Sequence, residues 1–203
     1  MVAVNHSVKF IYLDIGDTLI AEVDMGLVAK ALNLGKKVLM NDYQKYRMHM
    51  YKGTSTPSDF VESIKDKLSM SKKDAIDKWN KALKNLRVIK PMQKLVRDLS
   101  VKYKIGLLTN IYKGHFEIFY NAGKIPHISY DAVIKSCDVG FAKPEKEIYE
   151  IAVKKAKVSS REILLIDNKS ENVEAGIKYG WQGLAFDSKN PVESVNKLRS
   201  ILL

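Results

Sequence analysis

The sequence has little cysteine, little proline and no long apolar run. One cysteine, Cys137, among 203 residues excludes an internal disulfide and a thiolate zinc cage, which suits a reducing cytosol. Cys137 itself reads as a small buried hydrophobe. Eleven glycines and five prolines give no collagen-like period, and the longest linker-like stretch is the short turn from Gly53 to Ser58. No apolar stretch approaches the ~20 residues that span a bilayer, and the run from Val8 to Leu13 is too short for a secretory core before Asp14 interrupts it. The expectation is a cytoplasmic protein with no membrane contact. Acidic residues are scarce as well: 23 Asp+Glu against 34 Lys+Arg leave a net charge of +11. That balance favours nucleic acid, anionic surfaces or phosphorylated small molecules, and charge alone does not choose among them.

Against these shortages, hydrophobic residues make up 46% and charged residues 28%, the balance of a globular chain of one domain or one domain with an insertion. Val8-Lys9-Phe10-Ile11-Tyr12-Leu13 is a buried-strand pattern closed by Asp14-Ile15-Gly16-Asp17-Thr18. Lys104 to Asn110 and Ile163 to Asn168 have the same form, and weaker strands are expected at 131–135 and 183–186. Helical stripes lie between them: Leu95, Val96 and Leu99; Ile148, Ile151, Ala152 and Ala156; Val173, Gly176 and Ile177; Val192, Val195, Leu198 and Leu202. This alternation predicts an α/β fold with a parallel, Rossmann-like sheet, helices on both faces, and ligands beyond the C-terminal strand ends.

Residues 21–88 break the rhythm. They carry the stripes Val28, Ala29, Leu32, then Val61, Ile64, Leu68, then Ala75, Ile76, Trp79, Leu83, and no convincing strand. They read as an all-helical insertion, and with 14 Lys+Arg against 8 Asp+Glu, a net +6, as the more basic part. Its lysines are expected on solvated helix faces. Tyr43, Tyr46, Met50 and Tyr51 are expected to pack within the insertion or against the rest of the chain rather than to wall a substrate.

Four strand-end segments carry chemistry. YLDIGDTL presents the Asp14 carboxylate, a nucleophile toward phosphorus or carbon and a ligand for a hard cation. LLTN offers the Thr109 hydroxyl and the Asn110 amide, both suited to phosphate oxygens. GFAKPEKEIY places Lys143 in extended backbone before Pro144, free to point at the site. LLIDNKSEN ends a strand with Asp167 and Asn168, followed by Asn172. Each segment alone is a common turn or helix cap; four of them, each at a strand end of one α/β pattern, point to one site.

In these four segments the sequence resembles the haloacid dehalogenase-like (HAD) hydrolase superfamily, mostly Mg2+-dependent phosphatases. DIGDT is similar to its first motif, LLTN to the second, Lys143-Pro144 to the third and IDNKSENVEAGIKYG to the fourth. The stretch from Gly140 to Gly180 looks most like the branch with a small helical cap, which makes 1–20 and 89–203 the α/β core and 21–88 the cap. The resemblance implies that Asp14 forms an aspartyl-phosphate, and that Thr109 and Lys143 hold the phosphoryl group, with Asn110 shaping that phosphate-binding loop. It also implies that Mg2+ sits between Asp14, the Gly16 carbonyl and the fourth motif, Asp167 or Asn168, and that Thr18 fixes the turn after the nucleophile. The implied substrate is a small phosphorylated metabolite.

Two positions depart from the family pattern. Gly16 stands where phosphatase relatives usually carry a second Asp, the acid and base of the reaction, and Asn168 stands where an acidic metal ligand is common. These departures favour an alternative, a weakly active or inactive member that binds a phosphorylated ligand or partner. Dehalogenating relatives also lack the second Asp, but they need a halide cradle, usually with a cap arginine early after the nucleophile; the cap here has only Arg47 and Arg87, and the phosphatase reading is preferred. Nucleic acid is not expected as a partner, since charge is its only warrant. His6, His49, His115 and His127 show no metal-ligand spacing and are expected at the surface or partly buried. The oligomeric state is not encoded in these motifs.

Overall fold

The computed structural model describes residues 7–21 and 23–203, so His6 lies outside the described residues. The apolar runs form five parallel strands: β1 (Phe10–Leu13), β2 (Lys104–Thr109), β3 (Ala132–Lys135), β4 (Ile163–Asp167) and β5 (Gln182–Ala185). Their order is β3-β2-β1-β4-β5. β1 is therefore central, with Leu13 opposite Leu107 on one side and Ile166 on the other. The chain builds the sheet outward from β1 first through β2 and β3, then through β4 and β5. The reversal lies between β1 and β4, a switch point of the kind where open α/β sheets bind ligands.

Between β1 and β2 come α1 (Met25–Ala31), α2 (Lys36–Tyr51), α3 (Pro57–Ser63), α4 (Lys72–Lys84) and α5 (Lys90–Leu99). The helix starts follow local chemistry. Asp24 accepts from the Gly26 N–H, Thr56 and Asp59 form a reciprocal capping box ahead of Pro57, and Ser71 accepts from the Asp74 N–H. The stripe Val61, Ile64, Leu68 does not lie on one helix: α3 ends at Ser63, Ile64 caps it, and a 3-10 turn at Lys65–Lys67 follows. The chain enters and leaves this helical region through paired backbone, with the Ala21 N–H donating to Arg87 O at 2.8 Å and the Ile89 N–H to Leu19 O at 2.9 Å.

The remaining helices are α6 (His115–Asn121), α7 (Ser136–Val139), α8 (Lys146–Ala156), α9 (Ser170–Lys178) and α10 (Pro191–Leu202). Strand side chains alternate between two layers. Ile11, Leu13, Leu164 and Ile166 pack with Leu95, Val96 and Leu99 of α5 and Val195 and Leu198 of α10. Phe10, Tyr12, Ile163 and Leu165 pack with Ile148, Tyr149 and Ala152 of α8. Gly106 is required where β2 passes β1, because a Cβ there would lie 2.6 Å from the Tyr12 ring and 2.7 Å from the Phe10 ring. The first layer runs without a break through Ile111, Tyr112 and Phe119 into Phe60, Trp79 and Leu83 of the helical region. That region also seats on the sheet domain at Gly53, whose φ is 68° and whose Cβ would fall 2.0 Å from the Cys137 carbonyl. Beside it Lys52 Nζ meets Glu145 Oε1 at 2.5 Å.

Candidate active site

β1 delivers Asp14 to the centre of the C-terminal sheet edge, and the adjacent ends of β2 and β4 deliver Thr109 and Asp167. Asp14 and Lys143 are 8% and 4% exposed, and Asp167 is fully buried. Lys143 Nζ donates to Asp14 Oδ1 at 2.9 Å, to Asp167 Oδ2 at 2.5 Å and to the Leu108 carbonyl at 2.6 Å. All three ammonium protons are engaged, so the cation is held between two carboxylates. Burial tends to lower the Lys143 pKa, but Asp14 and Asp167 outweigh it and hold the value above the ordinary one. Burial raises Asp14 to about 6, against the pull of Lys143 and with the repulsion of Asp167 adding to the rise. At neutral pH Asp14 is thus mainly ionised, as a nucleophile must be.

Sequence reasoning placed Asp167 among the metal ligands and Asn110 against phosphate; the structure turns both inward. Asp167 Oδ1 accepts from the Lys169 N–H at 2.8 Å, and Asn172 Nδ2 reaches both Asp167 oxygens, at 3.1 and 3.0 Å. With Lys143 on Oδ2 as well, the carboxylate has no oxygen left over for a direct cation contact. Asn110 holds the backbone of Lys143 reciprocally, its Nδ2 donating to Lys143 O and its Oδ1 accepting from the Lys143 N–H, both at 2.8 Å. Those bonds position the lysine, while Asn110 also lines the cavity above. The Thr109 hydroxyl has no partner among the described residues and lines the cavity above. Thr18 is fully buried with its hydroxyl unpartnered among those residues, so its contribution to the turn is packing.

The backbone at Gly16 is not left-handed. The positive φ belongs instead to Asp17, at 49°, and a Cβ on Gly16 would meet nothing within 4 Å. The Asp17 N–H and Ile20 O pair at 2.7 Å, leaving the Gly16 carbonyl without a hydrogen bond among the described residues. Asn168 Oδ1 is buried and also unpartnered. Asp14, the Gly16 carbonyl and Asn168 therefore offer hard oxygen atoms suited to Mg2+, which commonly takes one or two carboxylates and keeps several waters. Only one of the three is charged, and no cluster of three or more His, Cys, Asp or Glu that could hold a metal occurs among the described residues.

Above this floor opens a cavity of about 350 Å3, with Gly16, Thr109 and Asn110 at its base. Its walls come from α2, α4 and α6, and include Tyr43, Tyr51, Trp79 and His115. Tyr43 and Tyr51 pack as expected, the Tyr43 hydroxyl pairing with that of Tyr112 and the Tyr51 and Tyr112 rings lying 4.8 Å apart, but contrary to expectation they also face the cavity. His115 departs from expectation, being 5% exposed against Trp79, Tyr112 and Phe119. His49 and His127 are exposed as expected, and Cys137 is buried. The wall positions of Trp79, His115 and Arg47 carried no sequence signal beyond helical spacing.

Residues 11–186 match the family model described as haloacid dehalogenase-like hydrolase. No curated protein matches the sequence. Among solved structures, a HAD family enzyme from Bacteroides thetaiotaomicron superposes with a TM-score of 0.75 at 22% identity, over 89% of this chain and 94% of that one. The same enzyme is also known in complex with magnesium and inorganic phosphate. A predicted HAD-like family hydrolase from Porphyromonas gingivalis gives 0.73 at 17% identity over 95% and 98% of the two chains. L-2-haloacid dehalogenase from Xanthobacter autotrophicus gives 0.63 at 17% over 88% and 77%. At these identities the superpositions speak to the fold, whereas the sequence model spans most of the chain and its four strand-end motifs: the chain belongs to the haloacid dehalogenase-like hydrolase family.

Proposed function

We propose that the protein is a Mg2+-dependent phosphatase of the cytoplasm that hydrolyses a small phosphorylated metabolite through an aspartyl-phosphate on Asp14. The observation that carries this reading is the buried Asp14–Lys143–Asp167 arrangement next to Gly16 and Thr109 at the base of the cavity, with one Asp14 oxygen, Oδ1, held by the Lys143 ammonium. The magnesium and phosphate complex of the Bacteroides relative supports it.

In this reading Asp14, the Gly16 carbonyl and Asn168 hold Mg2+, which supplies charge that offsets repulsion between carboxylate and phosphate. The Thr109 hydroxyl binds a phosphoryl oxygen, Lys143 supplies positive charge beside it, and Asn110 and Asp167 keep Lys143 in place. Asp14 Oδ2 attacks phosphorus, the P–O bond to the leaving group breaks, and its electron pair departs on that oxygen. Gly16 supplies no proton at this point. The leaving oxygen takes one from water, which favours leaving groups of low pKa. Water then attacks phosphorus, phosphate departs, and the Asp14 carboxylate is restored. The helical region, residues 21–88, serves as the cap over this chemistry.

The test is phosphate release from a panel of phosphomonoesters and acyl phosphates with and without Mg2+, alongside halide release from 2-chloropropionate and trapping of Asp14 with beryllium fluoride. Mg2+-dependent phosphate release, abolished in Asp14→Asn, is expected. Halide release without phosphate release would replace the reading with dehalogenation. Gly16 and Asn168 favour one second reading, a non-catalytic protein that binds a phosphorylated ligand or partner; beryllium fluoride or phosphate binding with no turnover on any substrate would establish it.

A further inference from the structure

The cavity under the helical region has a composition of its own. It is continuous with the reaction floor at Gly16 and Thr109, and Tyr43, Tyr51, Trp79, Tyr112 and Phe119 give part of its wall an aromatic surface. Its volume also admits an aromatic ring. A dry cavity of roughly 150 Å3 holds benzene, so about 350 Å3 holds a phosphoryl group, one ring and a small substituent. Asp24, Lys36 and Gln44 also line the cavity, but against the aromatic rings a hydroxyl-rich leaving group would lose water for few partners, because the Tyr43 and Tyr112 hydroxyls are paired with each other and unmatched buried hydroxyls oppose binding.

The wall also holds a cation with no ion-pair partner among the described residues. Arg47, on α2, lines the cavity, and its Nε is buried without a hydrogen-bond partner. No carboxylate pairs with it among the described residues, whereas Lys36 at the same cavity meets Asp24 at 3.7 Å. A guanidinium at the edge of an apolar pocket is matched by the planar, two-oxygen face of a carboxylate. Gly16 adds a chemical constraint: without a neighbouring acid, a phenol departs more readily than an alcohol.

We infer that this cavity is built for an aryl phosphate whose ring carries a carboxylate, the ring lying against the aromatic wall and the carboxylate meeting Arg47. The inference rests on the phosphatase reading for turnover, but not for binding. Two measurements separate them. The first is kcat/KM of the full-length protein with Mg2+ for 4-carboxyphenyl phosphate, phenyl phosphate and glucose 6-phosphate. The expected order is as written, with steps of about tenfold or more, the size of a charge-assisted hydrogen bond. In Arg47→Met the ratio between the first two falls to about one.

The second measurement requires no reaction: titration with 4-hydroxybenzoate, the dephosphorylated product, read by quenching of tryptophan fluorescence. Trp79 lines the cavity and Trp181 lies in the opposite layer, so saturable quenching is expected in wild type, is lost in Trp79→Phe, and weakens about tenfold or more in Arg47→Met. Glucose 6-phosphate hydrolysed as well as the aryl esters, with no saturable quenching, would overturn the inference and leave the phosphatase standing. Saturable, Arg47-dependent quenching with no turnover of any ester would support the pocket and defeat the phosphatase reading.

Discussion

At the scale of single residues, the site is a chain of dependencies centred on Lys143. Asn110 holds its backbone, Asp14 and Asp167 hold its ammonium, and Asn172 holds Asp167. Removing the cation leaves two buried carboxylates facing each other, and breaking a buried pair in this way typically costs about 3–5 kcal/mol. Lys143→Met should therefore lose stability on that order as well as activity, measured by urea unfolding at neutral pH. A loss under about 1 kcal/mol, the range of exposed pairs, would mean that the lysine is not the buried cation described here. Gly16→Asp should behave in the opposite way. The backbone there is not left-handed and a Cβ meets nothing, so stability should change by no more than about 0.5 kcal/mol. A carboxylate at that position should raise kcat on alkyl phosphates by up to about 10² and matter little for aryl ones. A folded variant with no gain would show that proton transfer is managed elsewhere. The residues of this site were legible in the sequence because each is a lone polar group closing an apolar run. The inward turn of Asp167 and Asn110 was not, since it depends on partners such as Lys143 that are 24 and 33 positions away.

Among the elements, strands surrounded by helices were the easiest to read. A strand buried on both faces needs an unbroken apolar run, and Phe10–Leu13, Lys104–Thr109 and Ile163–Asp167 supply one. The edge strands β3 and β5 appear within a residue of their expected places despite weaker runs. α2 escaped notice although it is the longest helix described: it buries only Leu39, Tyr43 and Met50 over 16 residues, and Gly35 gives its start no side-chain cap. α6 and α7 run to 7 and 4 residues, too short to display a period. The joint between α2 and the sheet domain is where an element-scale change should act. At Gly53 the left-handed φ and the Cys137 carbonyl both exclude a side chain. Gly53→Ala should cost about 1–3 kcal/mol, the range for overpacked sites, and should raise KM more than it lowers kcat, because the cavity walls move while Asp14 and Lys143 stay. A thermal melt with steady-state kinetics checks both; unchanged KM would show that the seat does not shape the cavity.

For the molecule as a whole, the helical region and the sheet domain share one apolar layer, and His115 lies where they meet. Its ring touches Trp79 from α4 and Tyr112 and Phe119 from the sheet domain, and its Nε2 has no partner among the described residues. Burial lowers its pKa from the ordinary 6.5 to about 4, and Glu117 on the same helix, the nearby carboxylate, offsets this only in part. Above pH 6.5 the ring is neutral whether the chain is folded or unfolded, and it contributes no pH dependence. Between about 6.5 and 4 the unfolded chain binds a proton that the folded chain refuses, so stability rises with pH across that window and is lost as the pH falls through it. At 1.36 kcal/mol per pKa unit, the loss on going from pH 7 to pH 4 is about 3 kcal/mol. Carboxylates titrate over the same range, so the quantity to measure is a difference: urea unfolding of wild type and His115→Phe at both pH values. Wild type should lose about 3 kcal/mol more than the variant. The variant should also keep its fluorescence midpoint for the Trp79 region closer to the global one at pH 4, because a charge forced into this seam would open the helical region first. Equal acid losses in the two proteins would show that His115 takes up its proton in the folded state and that the seam between the two parts is wet.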